Sequence, residues 1–186
     1  MAVTIDGTTG ISAVQAGAVE SSDLPAGSVI QVVQTVKTSG YIVSLSALAL
    51  DTQNIPGLDT TITPTSTSSK ILVIVEAESG RAASSSDAAI RLYKNGSILT
   101  DAVGADNAGN PGQGVTSGGG VTGTGYGFHY LDSPNTTSEV TYGIRFKSVR
   151  TDATRPGSVG FVDNGSSSVS ENVNKLSTIT LMEIAG

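Results

Sequence analysis

The chain has 186 residues, enough for one domain that buries about 70 % of the surface exposed by its unfolded form. It contains no cysteine, which excludes a disulfide framework, a thiolate metal site and a cysteine nucleophile. The net charge of −6, with only 10 basic residues, argues against nucleic-acid binding, because such binding depends on lysine and arginine.

The amino-terminal segment, residues 1–27, is small, polar and weakly patterned. It has no basic stretch followed by an apolar run, so neither a signal peptide nor a membrane span is predicted. A segment of this kind cannot form a core by itself. We predict an extended arm that anchors to a virion or to a neighbouring subunit, followed by one domain over residues 28–186.

Strands are predicted where apolar residues alternate with polar ones or where β-branched residues cluster. The segments are 28–37, 70–77, 126–130, 140–147 and 176–184. The continuous apolar run from Ile71 to Val75 is typical of a central strand covered on both faces. Asn95-Gly96, placed between two apolar runs, predicts a β-hairpin with a type I′ turn.

Two glycine- and serine-rich stretches, 101–123 and 151–175, are predicted to be long surface loops, where recognition residues are usually found. Their glycines lack the spacing of phosphate-binding loops, so no nucleotide cofactor is expected. The candidate exposed recognition residues are Asp106, Asn107 and Asn110.

An aromatic row, Tyr126, Phe128 and Tyr130, occupies one face of a predicted strand. Such a row is a candidate core or trimer interface, and the alternative is a platform on which a sugar stacks. His129 points the other way and is predicted to be a half-exposed residue. Because it is the only histidine, no conventional catalytic triad or metal site with two imidazoles can be built.

Oxygen ligands for a calcium ion are one interpretation of Asp101, Asp106, Asn107 and Asp132, which could converge near one loop. The spacing of a calcium-binding loop is absent, so whether a calcium ion is bound stays open. No pair of carboxylates has a spacing that would indicate a glycosidase. The sequence therefore predicts no enzyme and no catalytic, cofactor or metal site.

Together these patterns predict an all-β fold, an antiparallel jelly-roll-like β-sandwich of about eight strands. A monomer of this kind would expose the aromatic row, and packing three copies around an axis would hide it. A homotrimer is therefore expected.

Five segments carry a resemblance to a known family. They are TIDGTTGI at 4–11, LPAGSVIQVV at 24–33, TITPTSTSSKILV at 61–73, RLYKNGSIL at 91–99 and TITLMEIAG at 178–186. In their order along the chain and in their residue sequences, these segments resemble bacteriophage virion structural proteins. The resemblance is to tail-fibre-like proteins and jelly-roll decoration proteins of marine phages and cyanophages in particular. The resemblance implies a trimer like that of fibre knobs or tumour-necrosis-factor-like proteins, with the amino-terminal arm attached to the particle.

The leading hypothesis is a non-enzymatic fibre or knob on the tail, neck or head of a bacteriophage, assembled in the host cytoplasm and in contact with the host surface. One alternative is a capsid decoration, or cement, protein that stabilises the head. Another is a carbohydrate-binding module that uses Tyr126, Tyr130 and the loop at 101–123. The expected partners are further copies of the chain, capsid, neck or tail proteins bound through residues 1–27, and a host surface glycan. Nucleic-acid binding and membrane insertion are not expected.

Overall fold

The computed structural model describes residues 20, 23–38, 41–45, 53–81, 88–99, 123–148, 157–161 and 176–186. In chain order the strands are β1 (Val29–Lys37), β2 (Tyr41–Leu45), β3 (Gln53–Asn54), β4 (Thr60–Ile62), β5 (Lys70–Arg81), β6 (Ala88–Lys94), β7 (Ser97–Ile98), β8 (Gly123–Asp132), β9 (Val140–Ser148), β10 (Gly157–Phe161) and β11 (Ser177–Ile184). The five strands predicted from the sequence are all present, and all strand pairs in this part of the chain are antiparallel.

The strands form two sheets. The six-stranded sheet has the order β1-β11-β5-β10-β2, with β8 also paired to β5, and the five-stranded sheet has the order β3-β9-β6-β7, with β4 also paired to β9. If β2, β3 and β10 are set aside, eight strands remain. Of these, β1, β11, β5 and β8 share one sheet, and β4, β9, β6 and β7 share the other. Counted along the chain, the first sheet holds the first, eighth, third and sixth of the eight, and the second sheet holds the second, seventh, fourth and fifth. This is the order of a jelly roll, so the predicted fold class is confirmed.

The core lies between the two sheets. Alternation along β5 and β11 turns every second residue inward, and residues such as Val73 and Leu181 are fully buried. The other members of the cluster come from β4, β5, β6, β9, β11 and the connection between β3 and β4: Ile55, Leu58, Ile62, Ile71, Val75, Ala77, Ile90, Leu92, Val140, Tyr142, Ile144 and Ile179. Because both sheets contribute, the sandwich has one continuous core.

The predicted hairpin is confirmed at Asn95-Gly96, which joins β6 to β7. Asn95 has φ 50° and Gly96 has φ 79°, the two positive angles that a type I′ turn requires. The turn is also tied to β9, because the Asn95 amide donates to the Thr141 carbonyl at 2.9 Å and Asn95 Oδ1 accepts from the Thr141 amide at 2.9 Å. The hairpin is thus held against the neighbouring strand.

The loop prediction for residues 151–175 is wrong in part, because Gly157–Phe161 is a strand. It pairs with β2 over five residues and with β5 at Gly80 and Arg81. Glycine and serine make this segment look like a loop, and its pairing partners are far away in sequence, so local composition does not reveal it. Of the other predicted loop, residues 101–122 lie outside the described residues, and Gly123 already belongs to β8.

The predicted arm, residues 1–27, lies mostly outside the described residues. Its last part is held by the carboxyl terminus, because the Gly27 amide donates to the Ala185 carbonyl at 2.7 Å and the Ala185 amide donates to the Ser28 carbonyl at 2.8 Å. Pairing between the beginning and the end of the chain therefore starts at Gly27, just before β1.

Candidate functional site

The outer face of the six-stranded sheet carries a row of partly exposed apolar side chains. Strand register aligns Val32 of β1, Met182 of β11, Leu72 of β5 and Leu131 of β8 in one row across four strands. Val32 is 54 % exposed and Leu131 is 47 % exposed. Ile74 and Val36 lie on the same face in the next two rows. We call these six residues the outer apolar face.

The outer apolar face is small. With strands about 4.8 Å apart and residues about 3.3 Å apart along each strand, it covers roughly 190 Å² between its outermost strand axes. Thr180 and His129 flank Ile74 in its row, so polar side chains adjoin the apolar ones. The charged residues of β5 that turn outward, Lys70 and Glu76, lie at its two ends, so its centre carries no charge on that strand.

The sequence predicts that the apolar run in β5 is covered on both faces, and the structure covers it on one face only. Ile71, Val73 and Val75 are fully buried in the core, as expected for a central strand. Leu72 and Ile74 point outward and are only half-buried, although the run predicted cover on both faces. The outer apolar face is therefore the surface that lacks the predicted cover.

The aromatic row lies on the opposite side of the same sheet. Phe128 and Tyr130 are half-buried and pack against the core cluster, opposite Val75 and Val73 of β5. The expected exposure of this row in a monomer is thus not found for these two rings, and they offer no open platform for a sugar. The strand places Tyr126 in the same phase, and its side chain is outside the described residues. His129 points outward and is exposed.

Asp132, considered above as a calcium ligand, connects the two sheets from inside the sandwich. It lies at the end of β8, and its carboxylate accepts from Lys94 Nζ of β6 at 2.8 Å and from the Tyr142 hydroxyl of β9 at 2.6 Å. Burial raises the pKa of Tyr142 well above its usual value, and the hydrogen bond to Asp132 raises it further. Both carboxylate oxygens have protein donors, so Asp132 has a structural role here.

Glu183 is a second inward-facing carboxylate, at the other end of the sandwich. It is fully buried and accepts from Gln31 Nε2 at 2.5 Å, and from the amide and the hydroxyl of Thr65 at 2.7 Å each. Burial alone raises the pKa of Glu183, but these hydrogen bonds outweigh burial, so its pKa lies below the usual value. The alternation Ile179, Leu181, Glu183 was the signal in the sequence that placed this charge on the inner face.

The candidate recognition residues Asp106, Asn107 and Asn110, together with Asp101, lie outside the described residues. Elsewhere, in the described ranges, no three or more histidine, cysteine, aspartate or glutamate side chains are grouped so that they could hold a metal ion. In the same ranges no helix is long and apolar enough to span a membrane.

The solved structures that are similar to this chain include two viral ones. A chain in the structure of infectious bursal disease virus, Gx strain, has a TM-score of 0.39 and 12 % identity, over 85 % of this chain and 43 % of that one. A chain in the crystal structure of the T13 IBDV viral particle has a TM-score of 0.36 and 14 % identity, over 84 % of this chain and 36 % of that one. The protein thus spans less than half the length of either viral chain. No protein-family model and no curated protein matches the sequence.

Proposed function

We propose that this chain is a non-enzymatic structural protein of a bacteriophage virion, which acts as a trimeric fibre or knob. The observation that carries the proposal is the outer apolar face, because a jelly roll with an uncovered apolar sheet face is suited to assembly. The sequence resemblance to bacteriophage structural proteins supports the proposed place in a bacteriophage virion. A fold by itself does not determine function, so the argument rests on this surface.

Further copies of the chain are the proposed cover for the outer apolar face. Burial of apolar side chains contributes about 25 cal/mol for each Å² removed from water, so hiding this face in an assembly is favourable. Closed homo-oligomers are the usual way in which a protein covers such a surface. Residues 1–27 then attach the assembly to the particle, and Asp106, Asn107 and Asn110 remain candidates for contact with the host surface.

The oligomeric state is the first test. Light scattering on the purified full chain at micromolar concentration is expected to give a mass three times the 18.7 kDa of one copy. The variant Leu72→Glu places a charge at the centre of the outer apolar face and is expected to give the mass of one copy while remaining folded. The matched control is Thr61→Glu, which adds the same charge at an exposed position of the five-stranded sheet.

Two results would contradict the assembly role. One is a stable single copy of the unmodified chain at micromolar concentration. The other is an assembly that Leu72→Glu and Thr61→Glu leave equally intact, because the contact would then lie elsewhere.

The virion location is tested on purified particles from the host that carries this gene. Mass spectrometry is expected to find the protein in the particles at a few dozen copies or fewer, as for a fibre or knob. A number close to that of the major capsid protein would instead indicate the cement role. Absence from purified particles would end both proposals.

The role of the arm is tested by removing residues 1–19. If the arm is the attachment segment, the shortened protein is expected to form the same oligomer as the full chain, because the described part of the sandwich is unchanged. It is also expected to be missing from particles. Normal incorporation of the shortened protein would contradict the proposed attachment.

A further inference from the structure

A cavity of about 290 Å³ opens on the outer face of the five-stranded sheet, on the far side of the molecule from the outer apolar face. It is lined by Asp59, Tyr93, Thr141, Gly143 and Arg145, together with the Asn95-Gly96 turn. Register places Tyr93 opposite Gly143 and alternates these positions with the core residues Leu92 and Ile144. The lining side chains therefore belong to the solvent side of the sheet.

Arg145 is the principal hydrogen-bond donor in this cavity. Its guanidinium carbon lies 4.6 Å from the centroid of the Tyr93 ring, a cation–π contact that holds the planar group in one orientation. Its Nε atom is buried and has no hydrogen-bond partner. Because Nε is closed to solvent, a ligand that enters the cavity meets the Nη end of the guanidinium. Arg91, the cross-strand partner of Arg145, adds positive charge at the neighbouring position.

Asp59 supplies the complementary chemistry beside Arg145. Its carboxylate lies over Gly143, and any side chain at position 143 would overlap Asp59 Oδ1. Glycine at position 143 therefore leaves the space that the Asp59 carboxylate occupies against the sheet, at the wall of the cavity. A carboxylate can accept hydrogen bonds from hydroxyl groups, but it repels a second anion brought close to it.

We propose that this cavity binds a small hydroxylated carboxylate, of the class of a uronic acid. The ligand carboxylate accepts two hydrogen bonds from the Nη atoms of the Arg145 guanidinium, and a ligand hydroxyl donates to Asp59. The volume is at the lower end for ligand cavities, which suits a single sugar residue. This inference goes beyond the assembly role and stands whether or not the protein belongs to a virion.

The test is titration calorimetry of the full chain with D-glucuronate and D-galacturonate. D-glucose and D-galactose serve as neutral counterparts, and acetate as a carboxylate without hydroxyls. At least one uronate is expected to bind at least tenfold more tightly than its neutral counterpart and more tightly than acetate. Equal binding of the uronates and the neutral sugars would overturn the role of Arg145, and equal binding of acetate would overturn the role of the hydroxyls.

Variants assign the two contacts. Arg145→Gln is expected to weaken uronate binding at least tenfold, and Arg145→Lys should do so too, because lysine keeps the charge but lacks the planar fork. Lys70→Gln is the matched control: it removes one positive charge at an exposed position of the six-stranded sheet and should leave binding unchanged. Asp59→Asn is expected to reduce the preference for uronate over acetate. Unaltered uronate binding by both folded Arg145 variants would overturn the proposal.

Discussion

The two sheets share one core but present different outer faces to the solvent. The six-stranded sheet shows a row of aliphatic side chains that includes Val32, Leu72 and Leu131, whereas the five-stranded sheet shows a cavity with Asp59, Tyr93 and Arg145. The inner faces must both be apolar because they pack against each other. The outer faces are under no such constraint, so the two sheets can differ in function there. The outer face of the six-stranded sheet suits contact with protein, and that of the five-stranded sheet suits a small polar ligand.

The same difference can be read along single strands. In β9 the apolar residues Val140, Tyr142 and Ile144 alternate with Thr141, Gly143 and Arg145, as expected for a strand with one solvated face. In β5 the residues from Ile71 to Val75 are all apolar, so the two outward residues of this run, Leu72 and Ile74, are apolar as well. An uninterrupted run thus marks a strand that needs cover on both sides, and the molecule itself covers only one.

The largest expected effect on the free energy of unfolding is the difference between an inward and an outward leucine of the six-stranded sheet. Leu181→Ala empties a fully buried position and should lower the free energy of unfolding by about 2–5 kcal/mol. Leu72→Ala, the same change at a half-buried outward position, should cost roughly 1 kcal/mol in the dissociated chain. Urea unfolding at one low protein concentration measures both. Equal costs would mean that the outer face is already covered within one copy.

The next effect concerns the polar connection between the sheets. Tyr142→Phe removes the hydroxyl that donates to Asp132 and leaves Lys94 as the remaining donor of this cluster. The free energy of unfolding should fall by about 1.5–3 kcal/mol, the usual contribution of a hydrogen bond to a charged group. Urea unfolding at neutral pH is the measurement. No loss of stability would mean that Asp132 is satisfied equally well without this contact.

The free energy of unfolding is expected to depend on pH through Glu183. Its pKa is lower in the folded protein than the 4.5 of an ordinary glutamate, so the folded state favours the ionised form. Its contribution to stability is therefore fully present above about pH 4.5 and is lost as the pH falls through the lower folded-state value. The difference in unfolding free energy between the unmodified chain and Glu183→Gln should narrow below that pH.

The control for this pH effect is Glu76→Gln, at an exposed position on the outer face of β5. Its comparison with the unmodified chain shows how much the change of one carboxylate to an amide alters the unfolding free energy at each pH. A constant difference between the unmodified chain and Glu183→Gln from pH 7 to pH 3 would contradict the assignment.

The smallest expected effect on stability compares glycines on the two outer faces. Gly143→Ala places a methyl group against the Asp59 carboxylate, which can rotate away, so the cost should stay below about 1 kcal/mol. Gly127→Ala on the six-stranded sheet meets only an ordinary contact with the Val75 carbonyl at 4.0 Å. Gly143→Ala should weaken uronate binding while Gly127→Ala leaves it unchanged. Equal uronate binding by both variants would contradict the placement of Asp59 in the site.

Local pattern was sufficient for the strands with a strong signal. Alternation located β1, β8, β9 and β11, and the Asn95-Gly96 pair located the hairpin, because these features depend on side-chain period and on backbone angles of adjacent residues. The short strands β2, β3, β4 and β10 were not predicted. Their pairing is made with strands distant in sequence, and glycine-rich β10 has the composition of a loop.

The candidate site was predicted less well, for a related reason. The sequence drew attention to the aromatic rings of β8, but period two shows only that Phe128 and Tyr130 share a face, not which face meets the core. Asp59, Tyr93 and Arg145 come from three separate segments and carry no local motif. Their proximity depends on the pairing of β4 and β6 with β9.

The amino-acid sequence by itself determined that this protein is an all-β sandwich, because side-chain alternation and turn chemistry act between neighbouring residues. Only the tertiary structure decided which side of each strand meets solvent. That choice depends on how two sheets bury their faces against each other, and it leaves one outer face apolar and the other polar.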